Sequence, residues 1–166
     1  MSKFGVWNIV SSHYNTLRNY RTEKIEFSSV FVDLFLPFLI GLGITYFGIV
    51  ILRAELFDLI FMFSILSILP INMMIFLHGI LNEERMKGSA DQKKIRLATE
   101  TISNIQFCLL TSLSIVIVGL IMFISSPVSF FNYIDIAGSF LVYYLMFVFI
   151  ITLFMVLKRL HSVSRF

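Results

Sequence analysis

The sequence predicts an all-α membrane protein: four transmembrane helices with both termini cytosolic, an amphipathic N-terminal helix, and a short cytosolic helical hairpin between spans two and three. Three observations carry this reading. Apolar runs at 30–52, 57–81, 103–124 and 134–157 each have roughly the 20 residues that cross a bilayer core as a helix. Twelve of the 13 Lys and Arg residues fall on one side of those runs, and only Arg53 falls on the other. Basic residues stay in the cytosol, and an even number of spans returns the C-terminus to the side of the N-terminus. Composition agrees, with 14% charged residues and a mean hydropathy of +0.90, against about 25% charged in a soluble domain.

The four spans use most of the 166 residues, so the expectation is a single membrane domain over 1–166. Residues 1–26 are too polar for the apolar region of a signal peptide, and the first span is expected to be its own insertion signal. The net charge of +3 conceals an asymmetry: twelve bases meet seven acids inside, whereas Arg53 meets Glu55, Asp58 and Asp135 outside. Such an inner excess suits anionic lipid, and it equally suits a polyanionic cytosolic ligand such as a nucleotide or nucleic acid. The expected location is a bacterial inner membrane, multi-pass. Cys108 is the lone cysteine and lies within the third span, which excludes dithiol exchange chemistry and leaves a packing role.

Taken in order, 4–26 reads as an interfacial helix. Trp7, Val10, Tyr14, Leu17 and Arg21 recur at helical spacing, and Arg18, Arg21 and Lys24 would meet phosphate from lipid or a ligand. Ser28 and Ser29 can cap the first span, where Asp33 lies one turn inside and Pro37 can bend the helix. Gly41, Thr45 and Gly48 form a small-residue stripe, and Phe27, Phe31, Phe35 and Phe38 form an apolar one. The turn at Arg53, Ala54 and Glu55 is short enough to make spans one and two antiparallel neighbours. Pro70 interrupts span two and frees a carbonyl near Leu66, which Ser67 or a neighbouring helix can satisfy.

The hairpin occupies 82–102, with Gly88 ending one helix and Ser89, paired with Gln92 as a capping box, starting the next. From there one helix is expected to run unbroken to Ile124, displaying Lys93, Lys94 and Arg96 before it enters the membrane. With Arg85 and Lys87 these residues form the candidate ligand-facing rim. Ser125, Ser126 and Pro127 stop that helix, and Phe130, Phe131 and Tyr133 make an outer aromatic belt.

Catalytic signatures are missing, so the chain reads as a non-enzyme with no cofactor and no metal site. His13, His78 and His161 lie in separate segments without a partner at ligand spacing. A contact between His78 and Asp33 is open, a packing histidine being the other reading. In the third span Glu100, Asn104, Thr111 and Ser114 share one face, within about 80° at 3.6 residues per turn, interleaved with Phe107 and Val118. In a monomer this stripe is interhelical glue. In a ring of subunits Asn104, Thr111 and Ser114 would line a pore that Phe107 or Val118 closes by dewetting.

This layout resembles the small membrane subunits of bacterial antiphage defence systems, namely the channel effector of the Hailong system and the membrane subunit of Kiwa. The resemblance is one of architecture: size, four spans, an amphipathic lead-in and basic cytosolic extensions. It implies a homo-oligomer, commonly a tetramer, whose opening damages the membrane of an infected cell in abortive infection. It also implies a companion cytosolic defence protein and a single-stranded oligonucleotide as ligand. The expected function is thus a polyanion-gated pore. The alternative is a non-conducting membrane anchor or sensor that recruits a cytosolic effector, and a third reading is an accessory subunit of a larger membrane complex.

Overall fold

The computed structural model describes residues 5–17, 31–86, 91–125 and 132–163. Among these, every regular element is helical. Helix α1 (Val6–Asn15) comes first. A π-helical turn (Phe31–Phe35) runs directly into α2 (Leu36–Tyr46), and α3 (Arg53–Leu66), α4 (Ile68–Met86), α5 (Gln92–Ser125) and α6 (Asn132–Val163) follow. Three helical units are long and apolar enough to cross a membrane: α3 with α4 over Ala54–Met86, α5, and α6 over Asp135–Ser162.

The first expected span is shorter than its apolar run. Helix covers Phe31–Tyr46, a rise of about 24 Å at 1.5 Å per residue, against a hydrocarbon core of about 30 Å. Gly48 takes the chain out of the helix with φ +77°, a conformation that a Cβ resists. The chain then reaches Ile51, whose N–H donates to Ser139 Oγ at 3.0 Å. Arg53 and Glu55 belong to the first turn of α3 rather than to a tight turn. There the Glu55 carboxylate accepts from the Leu52 N–H at 3.0 Å.

Helices α5 and α6 form the central antiparallel pair. Helix α2 packs on α6, while α3 and α4 pack on α5. The expectation that spans one and two are neighbours is therefore corrected. The reason is steric: Gly41 sits where a Cβ would lie 3.3 Å from the Tyr144 nitrogen and 3.5 Å from the Phe140 oxygen, so α2 is seated on the backbone of α6. One apolar core gathers Ile51, Phe63, Cys108, Ile115 and Phe149. A second gathers Leu77, Leu81, Ala98, Ile105 and Val156 toward the end where the hairpin helices emerge.

Two breaks follow from local chemistry. Helices α3 and α4 are separated at Ser67, three residues before Pro70, whose missing N–H leaves the preceding turn open. Ser67 Oγ donates to the Phe63 carbonyl at 2.7 Å and lies 2.9 Å from Ser112 Oγ on α5. At the start of α5 the cap is Asp91, whose carboxylate accepts from the Lys93 and Lys94 N–H groups at 2.9 and 3.3 Å. This corrects the expected start at Ser89. The expected residues Gly88 and Ser89, like Ser28, Ser29, Pro127, Phe130 and Phe131, lie outside the described residues. Helix α5 otherwise runs unbroken for 34 residues, as expected.

Replacing Gly41 with Val should force α2 away from α6 and lower stability in detergent by about 1–3 kcal/mol, the usual effect of overpacking. The matched substitution Gly43→Ala, where a Cβ meets nothing within 4 Å, should leave the unfolding midpoint unchanged or slightly raised.

Candidate functional site

Helix α1 lays Val10, His13 and Leu17 on one face, and that face meets α5. The opposite side is open, with Trp7 79% exposed and Ser11, Ser12 and Asn15 also exposed. At the centre of the docked face His13 is fully buried. Its Nε2 lies 2.9 Å from Asp33 Oδ2 in the π-helical turn, and its Nδ1 lies 2.9 Å from Asn104 Oδ1 on α5. Thr16 Oγ lies 2.8 Å from both the His13 carbonyl and Asn104 Oδ1, so its single proton serves two acceptors. The imidazole stacks on Phe107 at 4.0 Å with the rings 6° from parallel, and Tyr14 meets it edge-on at 5.2 Å.

This geometry constrains the protons. With Asn104 turned so that its oxygen faces the ring, Nδ1 must carry a hydrogen. Nε2 then either donates to an ionised Asp33 or accepts from a protonated one, and in both cases the pair is neutral overall. Rotating the Asn104 amide would instead leave a neutral imidazole beside a buried carboxylate, a costly net charge. Asp33 Oδ1 is buried without a hydrogen-bond partner among the described residues. Burial, and then the Asp33 and Tyr144 oxygens nearby, push the Tyr14 phenol well above its usual range, so it stays protonated.

A second tier of ion pairs surrounds the network at the same end of the chain. Arg159 of α6 donates through Nη2 to the Thr16 carbonyl at 2.8 Å, capping the C-terminal end of α1 with a cation. Its Nη1 lies 3.4 Å from Glu100 Oε2, and Arg96 Nε donates to Glu100 Oε1 at 3.1 Å. Lys94 is half-buried and pairs with Glu84 at 2.9 Å.

Of the expected ligand-facing bases, Arg18, Arg21, Lys24 and Lys87 lie outside the described residues. Arg85 is exposed on the last turn of α4. Lys93 and Arg96 come together with Gln92 and Leu97 around a surface hollow of about 420 Å³. Lys94 turns inward to Glu84 and does not line that hollow.

The five residues of the expected pore stripe have different surroundings within one chain. Asn104, Phe107 and Thr111 are buried inside the chain, and Ser114 and Val118 are partly buried. Asn104 and Phe107 are occupied by His13, and Thr111 Oγ donates back to its own helix at the Cys108 carbonyl, 2.9 Å away. Ser114 does the same to Leu110 at 2.9 Å, and Val118 packs against the first core. In this arrangement none of the five faces a continuous polar surface. His78 is exposed and its Nδ1 lies 2.8 Å from the Met74 carbonyl, so the partner of Asp33 is His13.

His13 is the functional residue that sequence reasoning missed. Two signals pointed to it: a histidine central to the apolar face of α1, and an acid one turn inside a span with no partner of its own. Among the described residues no group of His, Cys, Asp and Glu could hold a metal ion. Comparison with protein-family models, curated proteins and solved structures finds no match.

His13→Ala should leave the Asp33 carboxyl and the Asn104 amide buried without their partner, a loss of about 3 kcal/mol by analogy with broken buried pairs. Combining His13→Leu with Asp33→Leu should cost less than the sum of the single changes. Denaturation of the four proteins in one detergent checks this, and strict additivity would mean that the contact is not energetic.

Proposed function

We propose that this protein is a four-pass inner-membrane effector with both termini cytosolic, in which α1 is a latch that holds a homo-oligomeric pore closed. The carrying observation is the burial of His13 against Asp33 and Asn104. A helix outside the membrane is thereby tied to two membrane segments, one of them the longest helix among the described residues. While α1 is docked, Asn104 and Phe107 are covered. Its release uncovers the cytosolic half of the polar face of α5, the part of the expected stripe that a pathway for ions needs.

The four-pass orientation draws support from the ends of the chain. His13, Asp33, Asn104 and Arg159 meet at one end, whereas Ile51 meets Ser139 near the other. In this reading the segment 31–51 crosses the bilayer although its helix is short, and among the described residues Lys94, Arg96 and Arg159 gather at the His13 end. A tetramer is the proposed assembly, because one chain has no interior left for conduction.

The ligand is a polyanion of the oligonucleotide class. Arg18, Arg21 and Lys24 follow α1 directly in sequence, and Lys93 and Arg96 line the hollow at the start of α5. A polyanion bridging the two groups acts on the latch itself, and in the antiphage setting such a ligand, made or destroyed on infection, sets whether the pore opens. The other reading is a non-conducting anchor that recruits a cytosolic effector. One observation favours it: the Thr111 and Ser114 hydroxyls are spent on their own helix.

Planar-bilayer recording of purified protein separates the two. Asn104→Leu or His13→Ala should raise open probability and make expression toxic, while Trp7→Ala on the open face of α1 should not. Silence of all three variants would leave the anchor. Reversing Lys93 and Arg96 together should abolish oligonucleotide binding, and wild-type affinity should fall steeply with salt as counterions are released. Binding indifferent to both changes would return these bases to a lipid role.

A further inference from the structure

We infer that the outward face of α3 and α4 is the surface through which copies of this chain associate, with Asn72 of one copy hydrogen-bonded to Asn72 of the next. Only 11% of the most apolar window of this unit is buried within the chain, against 39% for α5. Exposed apolar surface alone is what lipid expects of a span. Asn72 is the exception: it lies near the middle of Ala54–Met86, is exposed, and its carboxamide makes no hydrogen bond among the described residues. A carboxamide at that depth has no water to bond and is poorly placed against acyl chains.

The surroundings of Asn72 fit a helix rather than a headgroup or an ion. Ile68, Ile75 and Gly79 are four before, three after and seven after it, so all share one face at helical spacing. Ile68 and Ile75 are 54% and 65% exposed, and a Cβ added at Gly79 meets nothing within 4 Å. Small and β-branched residues beside a polar one are the makings of a close interhelical contact. No ionisable residue occurs from 59 to 77, so the face offers nothing to a charged partner.

Self-association is the occupant that the chemistry selects. Copies inserted in one direction meet in parallel, which brings identical residues to equal depth about a symmetry axis along the membrane normal. A carboxamide carries both donors and an acceptor, so it complements its own image. This inference rests on the membrane-spanning reading above: the contact joins two copies about a two-fold axis, away from the α5 face, and the proposed tetramer is then a pair of such dimers.

The test is disulfide trapping of the full-length chain in native membranes, with Ile68→Cys, Ile75→Cys and, on the lipid side of α6, Phe154→Cys, which replaces a residue 68% exposed. Cys108 is fully buried and can remain. Oxidation should give a species of twice the 19.2 kDa chain mass at 68 or 75 and none at 154. Adding Asn72→Leu should lower the trapped fraction roughly three- to thirty-fold, the range of one intramembrane hydrogen bond, and Asn72→Gln should retain it. No trapping at 68 and 75, equal trapping at 154, a product of another mass, or indifference to Asn72→Leu would each overturn the contact. Such a failure is separable from failure of the latch, because trapping reads proximity alone and the latch is read by conductance.

Discussion

A histidine and an aspartate can sit at zero exposure only if nearly every polar atom around them finds a partner. In this protein that requirement draws α1, the π-helical turn, α5 and α6 to one point. His13 supplies both ring nitrogens, Asp33 and Asn104 receive them, Thr16 bridges, and Arg159 closes the end of α1. The magnitudes explain why the arrangement suits a reversible element. Leu17 is the only buried apolar side chain among the described residues before the first span, and its burial contributes roughly 1.5–3 kcal/mol. Each net hydrogen bond adds about 0.5–1.5 kcal/mol. Docking is thus worth a few kcal/mol, a range that the binding of one ligand can offset.

In the proposed latch, the rest of the architecture transmits what happens at that point. Helix α5 has neither proline nor an internal break over its 34 residues, and it touches α1, α4, α3 and α6 in turn. A tilt imposed at Asn104 is carried without a joint both to the Lys93 and Arg96 hollow and toward Gly119, where a Cβ would lie 3.0 Å from Ile60. By contrast, α3 and α4 are jointed at Ser67 and lean on α5 along one side only. In the proposed assembly, the unbroken central helix would transmit and the jointed, outward-facing pair would associate.

Much of the helical architecture was legible because apolar length and helix breakers are local properties of the sequence. The unbroken run into Ile124, the interruption before Pro70, the close approach at Gly41 and the packing role of Cys108 all follow from local chemistry. The termination at Gly48 was masked by apolar residues on both sides, since hydropathy counts length and is blind to backbone conformation. Asp91 was passed over as a cap because Ser89 and Gln92 offered a familiar spacing. The site was less legible for a different reason. Asn104 and Phe107 were singled out on α5, but a helical wheel shows which residues share a face and not what covers it. The covering residue was His13, 91 positions away in sequence from Asn104, and only the paired demand of two buried polar groups links them.

This network, and not lipid alone, is proposed to hold α1 in place. Hydrogen–deuterium exchange of the protein in nanodiscs addresses it directly, comparing wild type with Asn104→Leu, which removes the acceptor for His13 and leaves the helix propensity of α1 untouched. Wild-type amides over 6–17 should be protected, and the variant should lose that protection while α4, α5 and α6 keep theirs. Equal protection of 6–17 in both proteins would show that the membrane surface holds α1 by itself and would contradict the account.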